Sequence, residues 1–251
     1  MVSQRGFYFR NQVTPYVILF IERDGSTFFS SMLKSHPEIH ALYERFAELR
    51  QRGAGPEEQM RWAREFFTPP LFGRYSAVGF KTKLVDVLDP EAFIALLKEK
   101  QCRIIQMQRR NRVKAVVSRI NARRLYEKSG YWNLYKESDR LPPLEIDPDQ
   151  FDLFLQERIE ADRALDEFVN RLNLPTLKIV YEELLVDREA VLQKVFPFLR
   201  VKPCELEGKS LKATSDDLRE VVLNFEELRT RYAGSIYSAM FDEVLSQPAG
   251  N

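Results

Sequence analysis

The sequence predicts an α/β domain built on a mainly parallel sheet, and three observations lead there. Short apolar runs rich in β-branched residues alternate with longer amphipathic stretches, the pattern of strands joined by crossover helices. The 251 residues are 44% hydrophobic and 30% charged, which excludes a disordered, collagen-like or coiled-coil chain. No Pro-, Gly- or Ser-rich stretch is long enough for a linker, so residues 1–251 read as one domain, a size that α/β units reach.

Taken in order, the first strand is Tyr16–Ile21, followed by the turn Glu22-Arg23-Asp24-Gly25-Ser26-Thr27 and a helical stretch, Phe28–Lys34. Gln51–Gly73 reads as a loop because it carries Gly53, Gly55, Pro56 and Pro69-Pro70. Ala77–Lys81 and Arg103–Met107 are short and apolar enough for buried parallel strands. A helix from about Arg112 to Lys128 turns Val113, Val116, Val117, Ile120 and Leu125 inward. Ser129–Asp149, with Pro142-Pro143, is a second loop; loops this long usually form lids or substrate walls. Gln150–Leu172 keeps Phe151, Phe154, Leu155, Leu165, Phe168 and Leu172 on one face. It starts at Asp147-Pro148-Asp149 and stops at Asn173 and Pro175. Leu177–Val180 is the last strand, and the helix Arg188–Leu199 follows it.

Charge and cysteine usage bound the function. Thirty-eight Lys and Arg against 37 Asp and Glu leave a net charge of +1, so an anion site must come from local clustering. Cys102 and Cys204 lie far apart, with no metal-binding spacing and no disulfide framework, which fits a reducing compartment. The run Tyr16–Ile21 is far too short to cross a membrane. Met1–Gln12 is polar and has no signal-peptide character. The expectation is a cytoplasmic protein without a membrane span.

Two segments carry chemistry. A strand feeding Gly25-Ser26-Thr27 at a helix start offers free backbone N–H groups and a positive dipole end, which is a phosphate cradle. The plain alternative is a capped helix after a buried strand. A Walker motif is absent: at Gly208-Lys209-Ser210, Pro203 stands where the first Gly belongs. The second segment follows the Arg103–Met107 strand. Between Arg103 and Tyr126 there are eight Lys or Arg and no acid. For Arg119, Arg123 and Arg124 a solvated helix face explains this. Arg109 and Arg110 stand at the carboxyl end of a strand, where open α/β sheets bind ligands.

Together, strand–Arg23-x-Gly-Ser-Thr–helix and strand–Arg110-Asn111–helix–Ser118 resemble the two cofactor motifs of the sulfotransferase family, which uses 3′-phosphoadenosine 5′-phosphosulfate (PAPS). Ser35-His36-Pro37-Glu38-Ile39 with Glu44 beyond it, Gly79-Phe80-Lys81, Val180-Tyr181-Glu182-Glu183-Leu184 and Asn224-Phe225-Glu226-Glu227-Leu228 resemble further family elements, in family order. The resemblance implies a three-layer, P-loop-like fold with a central, mainly parallel sheet flanked by helices. It implies transfer of a sulfuryl group from PAPS to an acceptor hydroxyl by in-line displacement, with PAP (3′,5′-ADP) as product and no metal.

Carried over to this sequence, the resemblance implies a 5′-phosphosulfate cradle of Arg23, Gly25, Ser26 and Thr27, and a 3′-phosphate clamp of Arg110 and Ser118. Asp24 stands in the cradle where the family has a small residue, and Lys212 closes from the C-terminal loop. Glu44 matches the family's base, with His36 as the competing candidate, and Lys81 stabilises the leaving phosphate or orients the acceptor. The acceptor would be a small molecule, carbohydrate or lipid with a hydroxyl. Trp62, Phe66, Phe67, Phe72, Tyr131, Trp132 and Tyr135 either wall it or belong to the core. A nucleotide or small-molecule kinase would need a Walker lysine at the Gly-Ser-Thr turn. An RNA- or anion-binding module would need aromatics interleaved with the basic run, where only Tyr126 lies nearby; no nucleic-acid partner is expected.

Overall fold

Five strands form one sheet in a computed structural model that describes residues 13–68, 75–208 and 214–245. They are β1 (Thr14–Leu19), β2 (Ile39–Leu42), β3 (Ala77–Thr82), β4 (Arg103–Gln108) and β5 (Thr176–Val180). Their spatial order is β2-β3-β1-β4-β5, and every pairing is parallel. The helices that join them are α1 (Ser26–Ser35), α2 (Arg45–Gln51), α3 (Pro56–Phe66), α4 (Pro90–Glu99), α5 (Arg112–Ser129), α6 (Pro148–Leu172), α7 (Tyr181–Val186) and α8 (Arg188–Leu199). Two short helices, α9 (Phe225–Arg231) and α10 (Ser238–Asp242), follow.

Alternation along β1 builds the three layers. Tyr16, Ile18 and Phe20 pack with Phe29, Met32 and Leu33 of α1 and Val191, Val195 and Leu199 of α8. Val17 and Leu19 face the other way, into a cluster with Phe93 of α4 and Phe168 of α6. Successive strand residues point to opposite faces, so a central strand buried on both sides must be apolar throughout. Gly79 is required in β3 because the Tyr16 ring lies where its side chain would be, with ring carbons 2.5 Å from a Cβ placed there. A third cluster joins Val113, Val116 and Val117 of α5 to Phe151 and Phe154 of α6 and to Phe225 and Phe241.

The structure departs from the sequence reading at Gln51–Gly73. Residues 56–66 of that expected loop are the helix α3, with Pro56 in its first turn and Ala63 buried beneath it. Gly55-Pro56 therefore punctuates a helix start instead of marking a loop, since proline suits the first helical position. Strand β2 and helix α4 were also not anticipated. In α4, Asp89 caps the helix by accepting from Ala92 N at 2.9 Å. Among the described residues no helix is long and apolar enough to cross a membrane.

Candidate active site

The carboxyl ends of β1, β3, β4 and β5 converge on a cavity of about 510 Å³. The chain leaves β1 toward β2 and β3 on one side and returns to β4 and β5 on the other. That reversal opens the crevice where such sheets bind ligands.

At its floor, Gly25 has φ 76° and precedes the first residue of α1. A Cβ on Gly25 would lie 2.1 Å from a Tyr181 ring carbon, so the Tyr181 ring occupies the space that only glycine leaves free. The first intrahelical bond of α1 runs from Phe29 N to Gly25 O at 3.1 Å, and the amides before it are the donors that a helix start leaves over. Lys81, at the end of β3 and almost wholly buried, reaches into this turn. Its Nζ donates to Thr27 Oγ1 at 2.9 Å and to Ser26 Oγ at 3.3 Å. The same ammonium is 3.0 Å from Glu44 Oε1, and Lys83 Nζ is 3.5 Å from Glu44 Oε2. Glu44 stands just before α2, at the carboxyl end of β2. Burial raises its pKa, but Lys81 and Lys83 outweigh that and hold it below the ordinary carboxylate value. Burial lowers the pKa of Lys81, and Glu44 opposes the shift.

Two arginines face the other half of the cavity. Arg23, itself at φ 71°, donates from Nε to Ser118 Oγ at 2.9 Å and from Nη1 to Trp132 O at 3.2 Å. Arg109 donates to Arg23 O at 3.1 Å and lies over the Tyr181 ring at 5.1 Å. Its Nε is buried without a hydrogen-bond partner. Burial, with Arg109 alongside, pulls Arg23 down to about 10, and burial lowers Arg109 as well. Two desolvated guanidiniums with an orphaned donor make a site electrostatically prepared for an anion.

The sequence-derived residues are thus partly brought together. Gly25, Ser26, Thr27, Arg23, Glu44 and Ser118 line one cavity, and Lys81 bridges its floor. Asp24, expected among the cofactor-binding residues, does not line this cavity. Its carboxylate is fully buried away from the cavity, accepting from Ile21 N at 3.0 Å and paired with Arg158 Nη2 at 2.5 Å, and its amide donates to Ile21 O. Burial pushes Asp24 up to about 6 even with Arg158 alongside. His36, the competing candidate for the base, does not line this cavity either. It sits at the far end of α1, where Nδ1 accepts from Glu38 N at 3.0 Å and Nε2 lies 2.9 Å from Lys202 O. A ring that accepts at one nitrogen and donates at the other is fully used in holding structure.

Arg110 is exposed, with its guanidinium 3.9 Å from Glu243; Arg109 takes the cavity wall in its place. Glu182 holds this turn by accepting the backbone amides of both Arg110 and Asn111. Lys212 lies outside the described residues, but Thr214, two residues on, reaches the cavity. The rest of the basic run is largely neutralised: Arg112 by Asp162, Lys114 by Asp216, and Arg119 by Glu22 and Glu157. Of the loop aromatics, Trp62, Phe66 and Phe67 pack around Phe80, Trp132 lines the cavity, and Tyr131 and Tyr135 are exposed; Phe72 lies outside the described residues. Sequence reasoning missed Tyr181 as a site residue, and it placed Arg109 at a ligand-binding strand end without assigning it to the cofactor. The signal was present, since both follow directly on strand ends. Among the described residues no cluster of three or more His, Cys, Asp or Glu could hold a metal ion.

Comparison with known proteins adds an independent line. No family model matches the chain. It is 24% identical over 250 residues to Nodulation protein H of Rhizobium tropici, covering 94% of this chain and 96% of that one. It is 23% identical over 244 residues to Nodulation protein H of Rhizobium meliloti, covering 91% and 95%. A solved sulfotransferase from Alicyclobacillus acidocaldarius superposes over 94% of this chain and 97% of its own, with a TM-score of 0.50 at 16% identity. The chain has a sulfotransferase fold. Within that sulfotransferase fold the Gly25 turn, the end of β3 and the middle of α5 enclose a single cavity.

Proposed function

We propose that the protein is a cytoplasmic sulfotransferase domain that uses PAPS as sulfuryl donor and a small molecule, carbohydrate or lipid with a hydroxyl as acceptor. The observation that carries this reading is the Lys81 ammonium, which touches the cradle hydroxyls and the Glu44 carboxylate at once. The same cation therefore serves the anion site and the proton acceptor. The residues present fit a nucleotide bearing two separated phosphates: a glycine turn roofed by Tyr181 at one end, and Ser118 with two half-buried arginines at the other. PAPS, when bound, supplies the activated sulfuryl group and leaves as PAP.

The chain's own residues do the remaining work. The first amides of α1 with Ser26, Thr27 and Lys81 hold the 5′ phosphosulfate and offset charge on the leaving phosphate. Arg23 belongs to this cradle and reaches Ser118 through its Nε, while Arg109 and Ser118 hold the 3′ phosphate; Arg110 and Lys212 are the further cations that the resemblance assigns to the nucleotide. Glu44, ionised at neutral pH, accepts the proton of the attacking hydroxyl. Lys81 and Lys83 orient its two oxygens.

Thermal unfolding with PAP or with ATP and Mg²⁺ tests the reading against a kinase. A hundredfold excess of PAP over its dissociation constant raises Tm by roughly 5–10 °C. Equal or larger stabilisation by ATP and Mg²⁺ overturns the assignment. A sulfation screen over phenols, sugars and aliphatic alcohols then finds the acceptor.

A further inference from the structure

A second cavity, of about 330 Å³, opens beside the first. Its walls come from the end of β1 (Phe20, Ile21), the turn after β3 (Leu84, Val85), α5 (Ala115, Val116) and α6 (Phe154, Leu165). It shares Phe20, Glu22, Lys83 and Arg119 with the cavity that holds Glu44. Lys83 is itself 3.5 Å from Glu44, so this apolar space begins one side chain away from the base.

Every charged group in this lining is already paired within the protein. Arg119 bridges Glu22 and Glu157, each at 2.7 Å, with its guanidinium over the Phe154 ring. Arg158 pairs with Asp24 and Asp162. Lys83 pairs with Glu44 and with Asp86. A charged ligand entering here would have to break one of these pairs and shed its own hydration, both unfavourable in a partly desolvated site. The surface that remains is aliphatic and aromatic, and it gains free energy only by covering apolar atoms.

We infer that this cavity receives the apolar arm of the acceptor, whose hydroxyl is presented to Glu44. The acceptor is then a neutral alcohol or phenol carrying an alkyl arm, not a charged or wholly polar one. The inference rests on the sulfotransferase reading and refines it at the acceptor side.

A series of neutral 4-alkylphenols, from methyl to hexyl, tests it by calorimetry without turnover, with and without saturating PAP. Affinity rises roughly three- to fourfold per methylene until the cavity is filled. In Ala161→Phe, a lining position on α6, the ring takes up the volume, and the dependence on arm length flattens while the PAP dissociation constant stays unchanged. Val85→Asp is the second variant, at an exposed position of the rim where folding is not at risk. Its new carboxylate weakens the hexyl compound about tenfold and leaves the methyl compound unaffected. A flat series in the wild type, or an unaltered slope in Val85→Asp, overturns the inference while PAP binding leaves the sulfotransferase reading standing. Absence of PAP binding alongside a climbing series sinks the sulfotransferase reading and keeps the apolar subsite.

Discussion

As the proposed base, Glu44 works under an unusual constraint, because the cations that hold it in place also weaken its basicity. With Lys81 and Lys83 on its two oxygens it stays ionised below pH 4.5, its ordinary value. The acid limb of the turnover profile therefore falls below pH 4.5. Lys81→Met removes the closer cation and moves that limb upward, whatever it does to the rate itself. For stability the sign is the usual one for a depressed carboxylate. The contribution of Glu44 is present above its unfolded value and is lost as pH falls through the lower folded one. Glu44→Gln lowers turnover by about 10²–10⁴-fold with PAP affinity nearly intact, whereas Glu48→Gln, exposed and paired with Arg45, stays near wild type. His36→Asn gives the complementary result: a lower Tm, by the loss of roughly 1–3 kcal/mol for buried polar groups left unpaired, with normal turnover in the folded fraction. Arg109→Ala weakens PAP binding by roughly 2–4 kcal/mol and Arg110→Ala by less; calorimetry giving the reverse order returns the clamp to Arg110. Which of two adjacent arginines faces inward was not legible in the sequence. The turn that carries them is held by Glu182, 72 residues beyond Arg110, through hydrogen bonds to the amides of Arg110 and Asn111.

Among the elements, the turn between β1 and α1 is the most constrained. Gly25 is held by two independent demands, a left-handed backbone and the Tyr181 ring 2.1 Å from any Cβ. Gly25→Ala therefore abolishes PAP binding while circular dichroism stays native. Adding Tyr181→Ala relieves only the steric part, and binding stays well below wild type. This turn was readable from a strand, a glycine and two hydroxyls in a row. Helix α3 was not, because Gly53, Gly55 and Pro56 resemble loop punctuation until the burial of Ala63 beneath the helix is seen. Strand β2, only four residues long, leaves too brief an alternation to register. The long periodic α6, the buried strands β1, β3 and β4 and the edge strand β5 were legible because packing on a sheet demands their apolar spacing.

Across the molecule, α6 reaches the turn after β1 through one charge chain that ends in a buried pair. Arg112 pairs with Asp162, Asp162 with Arg158, and Arg158 with Asp24. Arg158→Met strands the Asp24 carboxylate in the interior and costs about 3–5 kcal/mol, which lowers Tm by roughly 6–20 °C for a chain of this size. Asp24→Asn in the same background recovers part of that loss; no recovery would mean that the arginine acts through packing alone. None of this chain was visible in the sequence, where Asp24 and Arg158 are 134 residues apart.

The strand order also sets a timetable for the nascent chain. Strand β1 carries the cradle, yet both of its neighbours, β3 and β4, are made after it. Until residue 108 has left the ribosome, an apolar strand destined for the centre of the sheet has at least one open edge. The anion site is thus encoded early and assembled late. Truncated chains ending before β4 expose that edge to one another, which makes aggregation their expected fate.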